Sequence, residues 1–349
     1  MRSSSQRDTP EKRLQQLAAV LQGQSSLLII IHNHPDPDAL AGALALSHLV
    51  RECWGVEATI ACGGFIGRAE NRAMVRELKI PVKNISRISL NRYSRIALLD
   101  TQPGAGNNSL PPSADYHIVI DHHPPRKSLK ADFILIDPRV GASSTLLVEL
   151  LQTAQLPIPA NLATALAYAI RSETQDLGRE ADQRDIQAYL AVYARASMRK
   201  LSRIAHPKLP RSYFVTLARA LHQTMTFRHL ICAHLREVPV PEVVAEVADL
   251  LLRHERISWA LCTGRFRGEL IISLRSSNPG ARSWRVIRQL VGNSRNAGGH
   301  DLFAGGKLSL KGMSEEEIKR LEEKISTRFA RSLGYPEAVW KPLLGANNL

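Results

Sequence analysis

The sequence predicts an α/β protein of two domains, the first built on a parallel sheet with helices on both faces. Along the first half, a short apolar run that ends in Asp or His is repeatedly followed by a turn and a helical stretch, which is typical of parallel sheets. The length of 349 residues also exceeds the usual size of one domain. We therefore expect the second half to form a smaller α/β domain of its own.

Four apolar runs are the candidate strands of the first domain. They are SLLIII at 26–31, RIALLD at 95–100, YHIVID at 116–121 and FILID at 133–137. Apolar spacing and Pro or Gly punctuation predict helices at 39–52, 143–152, 161–171 and 183–198. Ligands of open parallel sheets gather beyond the carboxyl ends of the strands, so the polar residues there should converge on one crevice.

The domain limits follow from changes in these patterns. We expect a first domain at 16–205, a helical connection at 206–238 that starts near the segment HPKLPRS, and a second domain at 239–349. The second domain should open with the helix VVAEVADLLLRH, followed by the strands ISWALCTGRF and GELIISLRS. A last helix should begin at Ser314, because Ser314 and Glu317 have capping-box spacing.

Composition limits the class of partner and the compartment. The formal net charge of +14 favours polyanionic partners, although a solvated basic face is the alternative. Aromatic residues at 5% argue against a long track for single strands, so short substrates fit better. The four cysteines form no CxxC pair, and the polar start and the short LLIII run lack the features of export or membrane insertion. We expect a cytoplasmic protein with no membrane partner.

The segment IHNHPDPDALAG places His32, Asp36 and Asp38 in a tight loop between a strand and a helix. Two prolines stiffen this loop. Alternating carboxylates suit a hard divalent cation, and an imidazole favours a transition metal such as Mn²⁺ over Ca²⁺. The alternative is an Asp-rich turn that caps the next helix.

Two further strands end in chemically active side chains. Asp100 ends a strand in LLDTQPG, and Asp121, His122 and His123 follow one another in VIDHHPP. An Asp at a strand end is often only a turn residue. Two adjacent imidazoles beside a carboxylate serve no packing purpose, so the second segment indicates metal binding or catalysis.

Together these segments resemble the DHH phosphoesterase superfamily, which includes RecJ-like exonucleases, family II pyrophosphatases and nano-RNase/pAp phosphatases. HNHPDPDA is similar to the first motif of that superfamily, LLDTQ to the second, and VIDHHP to the third, which gives it its name. The fourth motif is usually an Asp-Thr pair after a helix. The similar stretch here, AIRSETQDLG, has Glu173 where Asp is expected.

The resemblance implies a centre of two Mn²⁺ ions, for which Mg²⁺ or Co²⁺ could substitute. The implied ligands are His32 and Asp36 for one ion, Asp38, His122 and Glu173 for the other, and Asp100 as the bridge between them. His123 would face the scissile phosphate and Asp121 would support the histidines, so Asp100, Asp121 and His123 are the expected catalytic residues. Two ions roughly 3.5 to 4 Å apart can activate a water, so no protein nucleophile is needed.

The second half resembles the DHH-associated C-terminal domain, which in the family grips substrate. In NAGGHDLFAGG, Gly298, Gly299 and His300 match its glycine-rich signature, while Ala297 replaces the first glycine. Arg275, in SLRSS, would contact a substrate phosphate. A simple glycine turn and a surface arginine are the alternatives. The resemblance places the active site in a cleft between the two domains.

The most similar branch is the nano-RNase/pAp phosphatase branch, because of the compact length and the SLRS and GGH elements. This resemblance implies hydrolysis of short oligonucleotides, or of the 3',5'-bisphosphate nucleotide pAp, and partners that are short RNA or DNA strands or nucleotide phosphates. The alternatives are a phosphodiesterase for linear or cyclic dinucleotides, a RecJ-like single-strand exonuclease, and a catalytically weak nucleotide-binding regulator, which Glu173 leaves open. A homodimer is also left open.

Overall fold

The computed structural model describes residues 9–126, 129–178, 181–292, 296–299 and 301–344. The chain divides into two compact units after Pro207. Each unit has a sheet of its own, so the α/β class expected for both halves is confirmed. Within the described residues, no helix is both long enough and apolar enough to cross a membrane.

The first unit contains a six-stranded sheet in which all neighbouring strands are parallel. Its strands are β1 (Ser26–Ile31), β2 (Glu57–Cys62), β3 (Val82–Asn84), β4 (Arg95–Leu99), β5 (Ile118–Asp121) and β6 (Phe133–Ile136). Its α-helices are α1 (Pro10–Leu21), α2 (Pro37–Trp54), α3 (Ala69–Leu78), α4 (Ser143–Thr153), α5 (Ala160–Glu173), α6 (Gln183–Tyr193) and α7 (Met198–Ala205).

The α-helices pack on one face of this sheet, and two short 3-10 helices and connecting segments cover the other face. In β1, Leu27, Ile29 and Ile31 belong to the large core that the α-helices complete. The alternate residues Leu28 and Ile30 face the opposite side, where the 3-10 helices Ile85–Arg87 and Leu90–Arg92 and connecting segments pack. A strand buried on both faces needs an unbroken apolar run, which is why SLLIII is so hydrophobic.

The strand order is β3-β2-β1-β4-β5-β6, so the direction of strand addition reverses between β1 and β4. The connections that leave the carboxyl ends of these two strands diverge, and this opens a crevice where ligands of such sheets bind. Gly42 of α2 packs against β4 at this point of the sheet, since a Cβ there would lie 2.9 Å from the Leu99 side chain. The start of α2 thus approaches β4 closely.

The second unit contains a mixed seven-stranded sheet of order β11-β12-β10-β9-β8-β7-β13. Its strands are β7 (Met225–Phe227), β8 (Leu230–Glu237), β9 (Trp259–Phe266), β10 (Glu269–Ser276), β11 (Ala297–Gly299), β12 (Phe303–Ser309) and β13 (Lys341–Pro342). Only β8 and β9 pair in parallel within the described residues. Its α-helices are α8 (Arg211–Gln223), α9 (Glu242–Leu251), α10 (Ser283–Val291) and α11 (Glu315–Ser332).

The helices of the second unit cover opposite faces of its sheet. Residues of α8 and α9 share one core, and residues of α10 and α11 share another. The expected capping box is present at α11, because Glu317 N donates to Ser314 Oγ and Ser314 N donates to Glu317 Oε2. The stretch 206–238, expected as a helical connection, contains α8, β7 and β8, and β8 pairs with β9.

Candidate metal centre

The loop after β1 holds His32 and Asp36 against each other. His32 Nδ1 donates to the carbonyl oxygen of Asn33 at 2.9 Å. The Nε2 atom therefore faces Asp36 Oδ2 at 3.4 Å. The other oxygen of Asp36 accepts a hydrogen bond from Ala39 N at the start of α2. Asp36 is thus both the cap of a helix and a carboxylate of the crevice, so the two interpretations of this loop are compatible.

Asp38 is fully buried in the first turn of α2. Its two carboxylate oxygens accept from Ser143 N at 2.6 Å and from Ser144 N at 2.8 Å, which are the first residues of α4. Burial raises the pKa of Asp38, and the negative charge of Asp36 adds to this effect. The amino end of α4 therefore fixes the position of Asp38.

Asp100 lies at the centre of the site, directly after β4 and almost fully buried. Its backbone φ is +56°, a conformation that non-glycine residues rarely adopt and that Asp tolerates better than most. One carboxylate oxygen lies 3.5 Å from His32 Nε2, and the other lies 3.5 Å from His122 Nε2. Burial, together with the charges of Asp38 and Asp36, raises the pKa of Asp100 well above its ordinary value.

The DHH triplet begins with Asp121, the last residue of β5, and hydrogen bonds fix Asp121 and His123. His123 Nδ1 donates to Asp121 Oδ1 at 2.9 Å, and Gln102 Nε2 donates to the other oxygen of Asp121 at 2.7 Å. Burial would lower the pKa of His123, but the bond to Asp121 and the charge of Asp100 raise it to about 9. The ring of His123 is therefore oriented, while 38% of its side chain remains exposed.

Glu173 ends α5 and faces the same carboxylates. Burial raises the pKa of Glu173 to about 8, and the charges of Asp36, Asp38 and Asp100 act in the same direction. Asp176, three residues later, lies elsewhere: Arg171 Nε donates to it at 2.5 Å, and its side chain is 74% exposed. Of the two acids in the ETQD stretch, only Glu173 lies where it can contribute to the site.

Two groups of candidate ligands overlap at Asp100. One comprises His32, Asp36 and Asp100, and the other comprises Asp100, Asp121, His122 and His123, with the ligand atoms of each group within 4.8 Å of one another. Asp38 and Glu173 lie outside these tight groups. Burial would lower the pKa of His32, yet the charges of Asp36 and Asp100 raise it to about 10.

This set of side chains fits divalent cations. Carboxylate oxygens and imidazole nitrogens together suit transition metals such as Mn²⁺. The raised pKa values of Asp38, Asp100 and Glu173 show that buried negative charge is crowded here, and cations bound beside Asp100 would relieve that repulsion. The Nδ1 donation of His32 also leaves Nε2 available as a ligand.

Comparison with known proteins identifies the first unit. Residues 26–170 match the DHH family, N-terminal domain. This part of the chain is a DHH-family domain. A match also covers most of the chain: an uncharacterized protein of Methanocaldococcus jannaschii is 34% identical over 325 residues, which are 90% of this chain and 65% of that protein. The chain therefore spans somewhat less than two thirds of the length of this relative.

Solved structures share the fold of nearly the whole chain. An exopolyphosphatase-related protein from Bacteroides fragilis superposes with a TM-score of 0.72 and 14% identity, over 92% of this chain and 97% of that one. RecJ in complex with Mn²⁺ from Thermus thermophilus superposes with a TM-score of 0.51 and 15% identity, over 92% of this chain and 55% of that one. At these identities the likeness concerns the fold.

The DHH domain contains supporting residues that sequence reasoning missed. Besides its backbone contact to Asp38, the fully buried Ser143 donates from Oγ to Asp100 Oδ1 at 2.9 Å. Gln102 binds Asp121 and also accepts from Arg126 N at 2.8 Å. The available signal was the GASS segment after a candidate strand, whose hydroxyls at a helix start are ready donors.

In the second unit, the predicted substrate residues lie on β10 and β11, the two strands that flank β12, where Arg275 is opposite Phe303 and Gly299 is opposite Ala304. Arg275 of β10 donates from Nε to Asp249 Oδ1 at 2.5 Å, and only 15% of its side chain is exposed. Gly298 and Gly299 form β11 and pair with β12. Gly299 has a φ of +152°, and a Cβ there would lie 2.4 Å from Ala304 Cα. His300 lies outside the described residues, so its predicted role stays a prediction, as does the cleft between the domains.

Proposed function

We propose that the chain is a metal-dependent phosphoesterase that hydrolyses short oligonucleotides, the nucleotide pAp, or both, with Mn²⁺ as the expected ion. The observation that carries this proposal is that two clusters of candidate metal ligands, each made of carboxylates and imidazoles, share Asp100. Membership of residues 26–170 in the DHH family supports it. The Mn²⁺ in the structure of RecJ, which has a similar fold, supports the choice of metal.

Each residue has a proposed role in holding metals. His32 and Asp36 would hold one ion and Asp38, His122 and Glu173 the other, with Asp100 between the two. Two bound cations supply an activated water and neutralise negative charge on the phosphoryl oxygens. The contact between Asp38 and α4 keeps this carboxylate in place before any ion arrives, which reduces the reorganisation that binding requires.

The proposed role of His123 is to bind the substrate phosphate. Asp121 occupies Nδ1 of the ring, and the raised pKa means that Nε2 also carries a proton at neutral pH in the metal-free protein. A partly exposed, oriented N-H can donate to a phosphate oxygen as negative charge develops there. Gln102 holds Asp121 and so acts as a positioning residue for His123.

The test is a substrate panel with a matched inactive variant. The full chain is stripped of metal with a chelator and assayed with Mn²⁺, Mg²⁺ or Co²⁺ on pAp, a dinucleotide, a five-nucleotide RNA and pyrophosphate. We expect phosphate or nucleotide release from the first three with Mn²⁺, none with chelator, and none from Asp100→Asn. If only pyrophosphate is hydrolysed, the proposal that nucleotides are the substrates is overturned. If none of these compounds is hydrolysed, the proposed phosphoesterase activity is overturned.

A further inference from the structure

A long arginine-rich stretch of the second unit contains no acidic residue. Between 270 and 300 there is neither Asp nor Glu, while arginines stand at 275, 282, 285, 288 and 295. Residues 208–349 as a whole contain 22 lysines and arginines against 13 aspartates and glutamates. Positive charge is therefore concentrated in this stretch, at the centre of which lies α10.

One face of α10 is apolar and the opposite face is cationic. Val286, Ile287 and Leu290 are buried and belong to the core of the second sheet. Arg285 and Arg288 are exposed, as is Arg282 directly before the helix. Because the apolar face anchors the helix, Arg285 and Arg288 are presented on a rigid element rather than on a loop.

The two helical arginines flank an aromatic ring. The guanidinium carbons of Arg285 and Arg288 lie 5.0 Å and 5.2 Å from the ring centroid of Trp284, which is itself partly exposed. Cation–π contacts of this kind keep long arginine side chains extended over the ring. The result is a compact surface on which planar cations and an indole lie together.

In the part of the chain that the structure describes, no carboxylate neutralises the charge of this surface. Among the described residues, Arg282, Arg285 and Arg288 form no ion pair with a carboxylate. Other arginines of the unit do: Arg265 binds Glu315 and Glu322, and Arg275 binds Asp249. Arginines that lack an acidic partner keep their donors available for an external anion.

We propose that the α10 surface, formed by Arg282, Trp284, Arg285 and Arg288, binds single-stranded nucleic acid. Guanidinium groups pair with backbone phosphates, and planar arginine and indole groups stack against unpaired bases. A purely inorganic polyanion would gain nothing from the indole. From Arg282 to Arg288 the helix spans roughly 9 Å, so the surface suits a short stretch of strand. This inference rests on the proposed function for its choice of ligand, and it adds a second contact for the same substrates.

The test measures binding without cleavage. A ten-nucleotide RNA that carries a fluorophore is titrated with the full chain in chelator, and its anisotropy gives Kd at several salt concentrations. The double variant Arg285→Ala/Arg288→Ala should bind about tenfold more weakly, and the slope of log K against log salt should fall by about 1.4. Arg285→Lys/Arg288→Lys keeps the charge but loses the planar groups, and we expect an intermediate Kd.

The matched control removes the same charge elsewhere. Arg253 and Arg256 are exposed in the turn that follows α9, and Arg253→Ala/Arg256→Ala should change Kd less than twofold. Equal weakening by the two double alanine variants would overturn the proposal, because net charge alone would then explain binding. Displacement of the RNA by inorganic polyphosphate at equal phosphate concentration would overturn nucleic acid as the partner.

These results are distinguishable from those that test catalysis. RNA binding that depends on Arg285 and Arg288, in a protein that hydrolyses nothing, would leave this inference standing and overturn the proposed function. If the protein hydrolyses the substrates but its RNA affinity is unchanged in Arg285→Ala/Arg288→Ala, the proposed function would stand and this inference would be overturned.

Discussion

The hydroxyl of Ser143 donates a 2.9 Å hydrogen bond to Asp100, the carboxylate shared by both groups of candidate ligands. The backbone N-H of the same serine donates to Asp38 at 2.6 Å. One buried residue at the start of α4 therefore positions two carboxylates that come from different elements of the sheet.

Ser143→Ala should weaken Mn²⁺ affinity by about tenfold, because it removes an oriented hydrogen bond to a ligand while the backbone contact to Asp38 remains. Calorimetric titration of the metal-free protein measures the effect directly. Ser144→Ala is the comparison, because the Ser144 hydroxyl interacts with Asp38 through a 3.4 Å contact to its backbone oxygen and a hydrogen bond that lowers the pKa of its carboxyl. The Ser143 hydroxyl instead donates to Asp100. Equal losses in both variants would show that the bond to Asp100 has no special role.

Asp100→Asn should abolish turnover and remove most of the bound metal, while the metal-free protein becomes more stable than wild type. The stability gain is expected because the pKa of Asp100 is raised by burial and by neighbouring carboxylates, so its charge opposes folding at neutral pH. Asn is chosen over Ala because it tolerates the φ of +56° better. Metal analysis, thermal melts in chelator and activity assays test the three expectations. If Asp100→Asn retains activity, Asp100 is not an essential part of the metal centre.

Glu173 should make the metal-free protein less stable as the pH rises. Its folded-state pKa of about 8 lies above the ordinary value of 4.5, so between these values the folded chain binds more protons than the unfolded chain. Its contribution to stability is present below pH 4.5 and is lost as the pH rises through 8. Glu173→Gln should flatten the dependence of Tm on pH in chelator. Some slope should remain above pH 6.5, because the pKa values of His32 and His123 are raised too.

Glu173→Asp retains a carboxylate and is the control for this measurement, since it should keep the slope and at least part of the activity. With saturating Mn²⁺ the trend should reverse, because metal binding requires deprotonated ligands. Identical pH profiles for wild type and Glu173→Gln would mean that Glu173 does not share the electrostatic environment of the other acids.

Arg275→Ala should lower kcat/KM by roughly one to two orders of magnitude without changing metal content, if its guanidinium contacts a substrate phosphate. The ion pair with Asp249 offers a control. Asp249→Asn breaks the same pair but keeps the arginine, so activity should be retained in that variant. If both variants lose activity equally, the role of Arg275 is to join β10 to α9.

Gly299→Ala should destabilise the protein by about 1–3 kcal/mol, because of its φ of +152° and the close approach of β12. Gly298→Ala should be almost neutral for stability, since a Cβ there meets nothing within 4 Å. Denaturant titration compares the two variants. A loss of substrate affinity in Gly298→Ala at unchanged stability would support a role for this backbone in phosphate binding.

The ends of these strands were predictable from sequence. Apolar runs such as SLLIII and IALL predict buried strands, and the Asp or His that follows each run lies at the carboxyl end of the strand. The strand β2 was missed, since EATIAC contains small residues and no long apolar run. The predicted helix at 183–198 ends earlier, at Tyr193, because the chain turns there before Ser197 caps α7.

The site was predictable only as far as local motifs reach. His32, Asp36, Asp100 and the DHH triplet lie in short segments whose chemistry can be read directly. The contact of Asp38 with α4 joins residues more than 100 positions apart, and no local pattern encodes it. The pairing of Arg275 with Asp249 is equally non-local, and it limits the phosphate contact that the SLRS element alone suggests.

The central position of β1 also determines when the centre can form during folding. The chain first adds β2 and β3 on one side of β1, and only then returns to place β4 on the other. Ser26 and Ser94, which join these two strands, are 68 residues apart, so closing that loop is entropically costly and slow. His32 and Asp100 meet only at that step. Metal uptake during refolding should therefore report the closure of the sheet, because a nascent chain that ends after β3 contains only half of the proposed ligands and lacks Asp100, the proposed bridge.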